Sequence, residues 1–303
     1  MAEPYNHTID QFQSILDYLR YGLSCANTKN LYYGHGTDNA WDDMLALILG
    51  SLSLPLDVNP ELLHARLTKE EKQYLCEQLR QRIEHHKPTP YLTQKAYFFG
   101  LSFYVDERVL IPRSPIGELI NQQFTPWIAE SRVKRILDLC TGSGCLAIAC
   151  CHAFPDAEVD AADISRDALA VAEINRKNHG LEDNLRLFHS DCFDSIPKTR
   201  YDIIVSNPPY VSREEIKTLP KEYHHEPKLA LEAEQNGLAI VEKILREAQD
   251  YLSAEGILVV EVGNSEEALV EAYPDVPFTW LEFEHGGAGV FLLTHDELKA
   301  YFS

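Results

Sequence analysis

None of the chain's 303 residues falls in an apolar run approaching the roughly 18 needed to span a bilayer, so no membrane role is expected. The segment MAEPYNHTIDQF lacks a basic stretch followed by an apolar one, and no secretory signal is expected from it. There is no Cys-x-x-Cys. The seven cysteines are odd in number, two of them adjacent (Cys150, Cys151), which is the usage of a reduced, cytoplasmic protein. Cys140, Cys145, Cys150 and Cys151 have no histidine or second cysteine pair at zinc-like spacing; small buried packing residues are expected there, and no metal. Basic residues are scarce: 27 Lys and Arg against 47 Asp and Glu give a formal charge of −20, and the densest basic stretch, Arg132 to Arg135, merely leads into a strand. A protein that grips naked nucleic acid needs a basic footprint. The acidic field instead suits a basic protein partner, although solubility alone explains acidity equally well. Internal repeats and low-complexity segments are absent.

What is present divides into three regions. From about residue 7 to 86 the pattern is helical. Ile9, Phe12, Leu16, Leu19 and Leu23 recur at three- and four-residue spacing, and a second helix is expected from Trp41 to about Leu54. A third opens on Thr68-Lys69-Glu70-Glu71, a capping box, and should stop before Pro88. Residues 90 to 112 read as strands, a hairpin turning near Gly100-Leu101-Ser102. From Pro115 onward strands and helices alternate, which predicts a parallel sheet with helices on both faces. Late in the chain, a helix is expected over Asn236 to Leu252 and a buried strand over Ile257 to Val262. Two further strands, Phe278 to Glu284 and Val290 to Thr294, are joined closely enough for one to run antiparallel.

The chemistry concentrates at strand ends. Tyr201 to Ser206 is a short apolar strand followed at once by Asn207-Pro208-Pro209-Tyr210. The prolines have fixed φ and no N–H, so they neither continue the strand nor let a helix begin. They stiffen a loop in which the Asn207 side-chain carbonyl and the Pro208 main-chain carbonyl can face one spot. Two convergent acceptors suit a planar –NH2 group, a carboxamide or an exocyclic amine. Taken alone, the four residues also read as a plain strand-ending turn. Upstream, Arg135 to Ala149 (RILDLCTGSGCLAIA) reads as strand, tight turn and helix start, with Gly142 and Gly144 admitting a sharp bend and a close ligand. The next strand, Glu158 to Ala162, ends in Asp163, where an acidic residue can hold ribose hydroxyls. The third, Asn184 to Ser190, ends in Asp191, which can accept from an adenine amino group. Standing alone, each Asp reads more readily as a helix cap or a solvated loop residue. Four successive strand ends bearing ligand chemistry predict a site at the carboxyl edge of an open α/β sheet.

The order DLCTGSG, Asp163, Asp191 and NPPY resembles the class I methyltransferases that use S-adenosyl-L-methionine, and NPPY resembles the members that methylate amide or exocyclic amino nitrogens. Phe99 to Arg113 (FGLSFYVDERVLIPR) is similar to the segment preceding the catalytic domain of the protein glutamine methyltransferases. That family includes the release-factor enzyme and the enzyme acting on large-subunit ribosomal protein L-three. The resemblance spans essentially the whole chain. Residues 32 to 43, 112 to 120 and 278 to 291 are similar to the ribosomal-protein branch in particular. The release-factor branch typically has Pro-Arg-Pro-x-Thr-Glu where this chain reads Pro112-Arg113-Ser114-Pro115-Ile116-Gly117-Glu118.

The resemblance implies an α/β fold: a class I methyltransferase, Rossmann-like, doubly wound and mainly parallel seven-stranded sheet, with a small N-terminal helical domain joined by a β-hairpin. Its implied divisions are a substrate-recognition domain over 1–89, a connector over 90–112 and a catalytic domain over 113–303. It implies catalysis by Asn207, Pro208, Pro209 and Tyr210. It implies cofactor binding by Asp138, Cys140, Thr141, Gly142, Gly144, Asp163, Asp191, Cys192 and Asn207, with S-adenosyl-L-homocysteine as product and no metal. The implied partner is a basic large-subunit ribosomal protein, free or in an assembling particle; no direct sequence-specific nucleic-acid binding and no membrane are expected. Three alternatives stay open: the release-factor activity, an adenine-N(6) nucleic-acid methyltransferase, and a catalytically silent assembly factor. Two residues depart from the common pattern. Cys140 replaces the first Gly of Asp-x-Gly-x-Gly-x-Gly, and as a residue with a Cβ it is expected to keep φ negative. Cys192 stands where release-factor enzymes often carry Trp, leaving a smaller neighbour for adenine. His224, His225 and Glu226 are expected to belong to a loop covering the substrate rather than to a metal site.

Overall fold

The computed structural model describes residues 11–284 and 286–302; Ile9 and the start of the first expected helical stretch lie outside them. The chain forms two compact units, one of Met1–Ala96 with Pro220–His225, the other of Tyr97–Leu219 with Glu226–Ser303.

In the first unit, helices α1 (Ile15–Ala26), α2 (Ala40–Ser51), α3 (Lys69–Ile83) and α4 (Thr89–Thr93) enclose a core that includes Tyr18, Leu19, Met44, Leu47, Leu75, Leu79 and Ile83. The starts of these helices follow from local chemistry. Ser14 and Asp17 form a capping box on α1, and Asn39 caps α2. On α3 the expected box is present: Glu71 N–H donates to Thr68 Oγ1 at 3.2 Å and Thr68 N–H to Glu71 Oε2 at 2.7 Å. Such a cap contributes about 1 kcal/mol. The last turn of α3 buries Arg82, only 2% exposed. Its guanidinium reaches Asp43 at 2.7 Å, Glu222 at 3.1 Å and the Tyr32 carbonyl at 2.9 Å. Glu222 also accepts from Tyr32 N–H at 3.0 Å and meets His86 Nδ1 at 3.1 Å. Residues 220–225 are thereby part of this unit, although they are distant from it in sequence.

The expectation of strands throughout 90–112 needs correction. Residues Thr89–Thr93 form α4, with Pro90 in its first turn, where a missing N–H costs nothing. Only β1 (Ala96–Phe98) and β2 (Leu101–Phe103) pair, across a two-residue loop of Phe99 (φ 45°) and Gly100 (φ 81°). Two successive positive φ values define the tight turn that matches strand twist.

The second unit is built on a seven-stranded sheet, with β3 (Arg135–Leu139), β4 (Glu158–Asp163), β5 (Leu185–His189), β6 (Tyr201–Ser206), β7 (Leu252–Glu261), β8 (Thr279–Trp280) and β9 (Val290–Thr294) in the order β5-β4-β3-β6-β7-β9-β8. Every pairing is parallel except β7 with β9 and β8 with β9, so β9 is the antiparallel strand expected near the end of the chain. β3 pairs with β4 on one side and β6 on the other, and the direction of winding reverses there; open sheets of this kind hold ligands outside that crevice. The helices of this unit are α5 (Ile116–Asn121), α6 (Cys145–Ala153), α7 (Arg166–Asn178), α8 (Arg213–Ile216), α9 (Ala239–Glu247), α10 (Glu266–Ala272) and α11 (His295–Phe302). Leu137, Leu139, Ile204, Leu258 and Phe291 join Val241, Ile244 and Leu245 of α9 and Leu298 of α11 in one core cluster. Boundaries move at two expected elements. The helix predicted to Leu252 ends at Glu247 with a short 3-10 turn, because Leu252 already pairs with Tyr201 and β7 begins there. Of the strand expected over Phe278 to Glu284, only Thr279–Trp280 pairs with β9.

Candidate active site

The turn from β3 into α6 is the tightest part of the site. Thr141 N–H donates to the Ala162 carbonyl at 2.9 Å, and Thr141 Oγ1 to Asp138 Oδ2 at 2.5 Å. Asp138 Oδ2 also accepts the Ala147 N–H at 3.1 Å, which ties the end of β3 to the first turn of α6. Gly142 (φ 55°) and Gly144 (φ 82°) take left-handed conformations, as their positions in the turn require.

Cys140 does so as well, with φ 59°, against the expectation that it would stay negative. The left-handed region costs a residue with a Cβ about 1–2 kcal/mol. Here the bend that brings Thr141 back onto β4 and Asp138 imposes it. Cys192 (φ 47°) is strained in the same sense. The two thiols meet: a hydrogen bond with Cys192, and then burial, push the Cys140 thiol well above its ordinary range. Burial likewise raises Cys145, Cys150 and Cys151, so these are poor ligands and poor nucleophiles in this state. Among the described residues no group of three or more His, Cys, Asp and Glu is arranged to hold a metal.

Asp163, closing β4, accepts from Gly142 N–H at 2.8 Å through Oδ2 and from Ser165 N–H at 2.8 Å through Oδ1. It therefore fixes the glycine turn and holds Ser165, the residue that caps α7, as it faces the cavity. Asp191, closing β5, is held by Lys243 at 3.1 Å, which also reaches Asp194 at 3.1 Å. After β6, Ser206 Oγ donates to the Leu139 carbonyl at 2.8 Å and so sets where Asn207 begins.

These strand ends surround a cavity of about 380 Å³, within the range typical of small-molecule sites. Of the expected residues, Cys140, Thr141, Gly142, Asp163, Asp191, Cys192, Asn207 and Pro209 line it. Asp138, Gly144, Pro208 and Tyr210 do not. Asp138 is wholly buried behind the turn; its Oδ1 has no hydrogen-bond partner among the described residues, and burial raises its carboxyl to about 7. Tyr210 instead donates its hydroxyl to Glu261 Oε1 at 2.9 Å.

Part of the wall was not read from the sequence as site. Arg108, Pro112, Arg113 and Ser114 line the cavity. Glu226 holds this segment in a fork: Arg113 Nη1 and Nη2 donate to its two oxygens at 2.5 and 2.6 Å, and Ile111 N–H donates at 3.1 Å. Glu226 is thus an anchor within the second unit, and His225 is bonded to the His85 carbonyl at 2.8 Å in the first. A carboxylate closing an apolar strand was the signal that singled out Asp163 and Asp191; Glu261 at the end of β7 carries the same signal.

An open sheet with its reversal at β3 and β6, a glycine turn, acidic residues on the next two strand ends and Asn-Pro-Pro-Tyr on the fourth define a class I methyltransferase. The methyltransferase small domain family matches residues 122–224. Over nearly its whole length the chain is similar to a ribosomal protein uL3 glutamine methyltransferase of Francisella tularensis subsp. tularensis, with 48% identity over 294 residues, 97% of this chain and 94% of that one. It is 47% identical over 295 residues to the ribosomal protein uL3 glutamine methyltransferase of Neisseria meningitidis serogroup A, covering 97% of each. The chain belongs to the ribosomal protein uL3 glutamine methyltransferase family. Among solved structures, the hMettl16 catalytic domain in complex with MAT2A 3′UTR hairpin 6 shares the fold, with a TM-score of 0.50 and 20% identity over 73% of this chain and 80% of that one.

Proposed function

We propose that this chain transfers the methyl group of S-adenosyl-L-methionine to the side-chain amide nitrogen of a glutamine in ribosomal protein uL3, leaving S-adenosyl-L-homocysteine. The observation that carries this reading is Asn207 and Pro209 lying on one cavity with Gly142, Asp163 and Asp191. The residues present fit such a cofactor. Asp163 and Asp191 offer carboxylates to a ribose and an adenine amino group, and the Asp138 carboxyl, buried behind the glycine turn, favours a positive charge in the cavity. When bound, S-adenosyl-L-methionine supplies an electrophilic sulfonium methyl group.

The protein's own task is to present the acceptor. An amide nitrogen is a weak nucleophile because its lone pair is delocalised into the carbonyl. Asn207 Oδ1 and the Pro208 carbonyl accept its two N–H bonds and hold the nitrogen at near-attack distance with its lone pair turned to the methyl. Tyr210 packs against the amide plane and its ring face favours the cationic methyl. No base is needed before transfer, since the nitrogen loses its proton afterwards, and the displacement calls for no metal. The net charge of −20 suits a basic ribosomal protein, met free or in an assembling particle in the cytoplasm. No described helix is long and apolar enough to cross a membrane.

The test offers labelled S-adenosyl-L-methionine with total ribosomal proteins and bulk nucleic acids in parallel. Label in a uL3 glutamine is expected; label in nucleic acid alone would overturn the reading.

Asp163→Ala is expected to weaken cofactor binding about 100- to 10,000-fold by calorimetry, the loss of two hydrogen bonds to a charged acceptor at about 1.5–3 kcal/mol each. Unchanged affinity would remove Asp163 from the ribose role. Asp138 gives a pH signature. With its carboxyl raised from 3.8 to about 7, the folded protein holds a proton that the unfolded chain releases between those values, so stability falls as pH rises from 3.8 to about 7. A positively charged cofactor in the cavity in front of the turn favours the ionised form, so cofactor affinity rises with pH up to about 7 and is level above it. Calorimetry in buffers of different ionisation enthalpy should detect a released proton below that pH. Asp138→Asn should abolish the release.

A further inference from the structure

Tyr210 is held at three points by groups outside its motif. Its hydroxyl donates to Glu261 Oε1 at 2.9 Å, and its carbonyl accepts from Ser265 Oγ at 2.8 Å. Its ring lies against Gly263, where a Cβ would come within 2.5 Å of Tyr210 Cε2, so only glycine leaves room for the ring. Glu261, the last residue of β7, is 5% exposed. Its other oxygen, Oε2, accepts from Ser114 Oγ at 2.6 Å, and Ser114 Oγ in turn accepts the Ile116 N–H at 3.2 Å. One buried carboxyl thus joins a residue of the cavity wall to the aromatic side chain of Asn-Pro-Pro-Tyr. Burial raises that carboxyl, and the two hydroxyls and Arg113 only partly offset the shift. An apolar residue would fill the same space without that cost but would leave the Tyr210 and Ser114 hydroxyls without their acceptor, so what the carboxyl supplies is a fixed orientation for both.

We propose that Glu261 is a positioning residue for methyl transfer: through Tyr210 it sets the plane of the ring on which the substrate amide packs, and through Ser114 it ties that ring to the cavity wall. The proposal rests on the glutamine-methylating reading above. The side chain acts through Tyr210 and touches neither substrate nor cofactor.

The experiment compares Glu261→Leu, Glu261→Gln, Tyr210→Phe and the double variant Tyr210→Phe/Glu261→Leu. Glutamine keeps the acceptor for Tyr210 and lets Ser114 rotate to accept; leucine keeps the volume and removes both acceptors. Expected are a kcat on uL3 lowered about 30-fold in Glu261→Leu and Tyr210→Phe, about threefold in Glu261→Gln, and no further in the double variant, with KM and S-adenosyl-L-homocysteine affinity within about threefold of wild type. Wild-type turnover in Tyr210→Phe, or a double variant that loses the product of the two single effects, overturns the proposal. Tyr210→Phe deletes one hydroxyl and keeps the ring, so this arm does not depend on the folding of the leucine variant.

A second arm reads the anchor without turnover, by NMR of protein labelled with ¹³C at the tyrosine Cζ. The Tyr210 signal, assigned by its absence in Tyr210→Phe, should move in Glu261→Leu and hold its place in Glu261→Gln. A signal unmoved in both overturns the anchoring. Wild-type protein that binds cofactor yet leaves uL3 unlabelled would defeat the functional reading instead, with this spectrum still deciding the anchor.

Discussion

Asn207→Ala is expected to lower kcat on uL3 by about two to three orders of magnitude, the cost of removing one preorganised polar group from a transition state. The side chain is half-buried at the end of β6, and the strand it follows is fixed without it. Ser206 Oγ bonds the Leu139 carbonyl, and Pro208 and Pro209 keep the loop stiff through their own φ angles. Stability should therefore change by less than about 1 kcal/mol, as for most substitutions away from a core or buried network. Affinity for S-adenosyl-L-homocysteine should stay within about tenfold of wild type, since Asn207 contributes only part of the cavity wall. The loss belongs in kcat because the amide's two N–H bonds are held most strongly when its lone pair turns toward the methyl group. Single-turnover transfer from labelled S-adenosyl-L-methionine to uL3, beside calorimetry of the same preparation, separates the two terms. Wild-type transfer in a folded Asn207→Ala protein would refute the acceptor role and return the four residues to a strand-ending turn.

The site was legible in the sequence where its signals are local. Each strand that delivers a ligand group is short, and Asp163, Asp191 and Asn207 stand within two residues of where pairing stops. The cavity they line needs only the parallel order that alternation predicts. What was not legible depends on partners far away in the chain. Ser114 and Glu261 are 147 residues apart, and Arg113 and Glu226 113 apart, and no local period announces either pair. Arg113-Ser114 entered the reading only as part of a family resemblance, with no physical role attached. The positive φ of Cys140 shows the converse failure. Propensity argued against it, while the turn that returns Thr141 to the Ala162 carbonyl requires it. Residues 89–93 failed similarly: Tyr91, Leu92 and Thr93 favour strands, but Pro90 opens a helical turn and Tyr91 is buried within it.

Arg82→Met should destabilise the first unit by about 3–5 kcal/mol, because it leaves Asp43 and Glu222 buried with their shared cation gone. The pH dependence should also flatten. In the wild-type protein burial acts to raise the Glu222 carboxyl. The N–H donors of Tyr32 and of its own backbone, with His86 and Arg82, outweigh burial and hold it below its ordinary value of 4.5. A depressed carboxyl contributes stability that is present above its unfolded value and is lost as pH falls below about 4.5 through the folded value. Without the guanidinium one of the groups that offset burial is gone, and the Glu222 carboxyl moves up from its depressed value, still held by the N–H donors of Tyr32 and of its own backbone and by His86. The difference between the folded and unfolded chains narrows, so less stability is lost as pH falls below 4.5. Urea unfolding read by hydrogen exchange over α3 and residues 220–225, at about pH 3 and pH 6, tests both statements. The loss on acidification should be larger in wild type than in Arg82→Met. Equal losses in the two proteins would mean that Arg82 does not help hold the Glu222 carboxyl down. Neutralising both carboxyls in the same background, as Arg82→Met/Asp43→Asn/Glu222→Gln, should recover much of the stability, because no buried charge is then left without its partner.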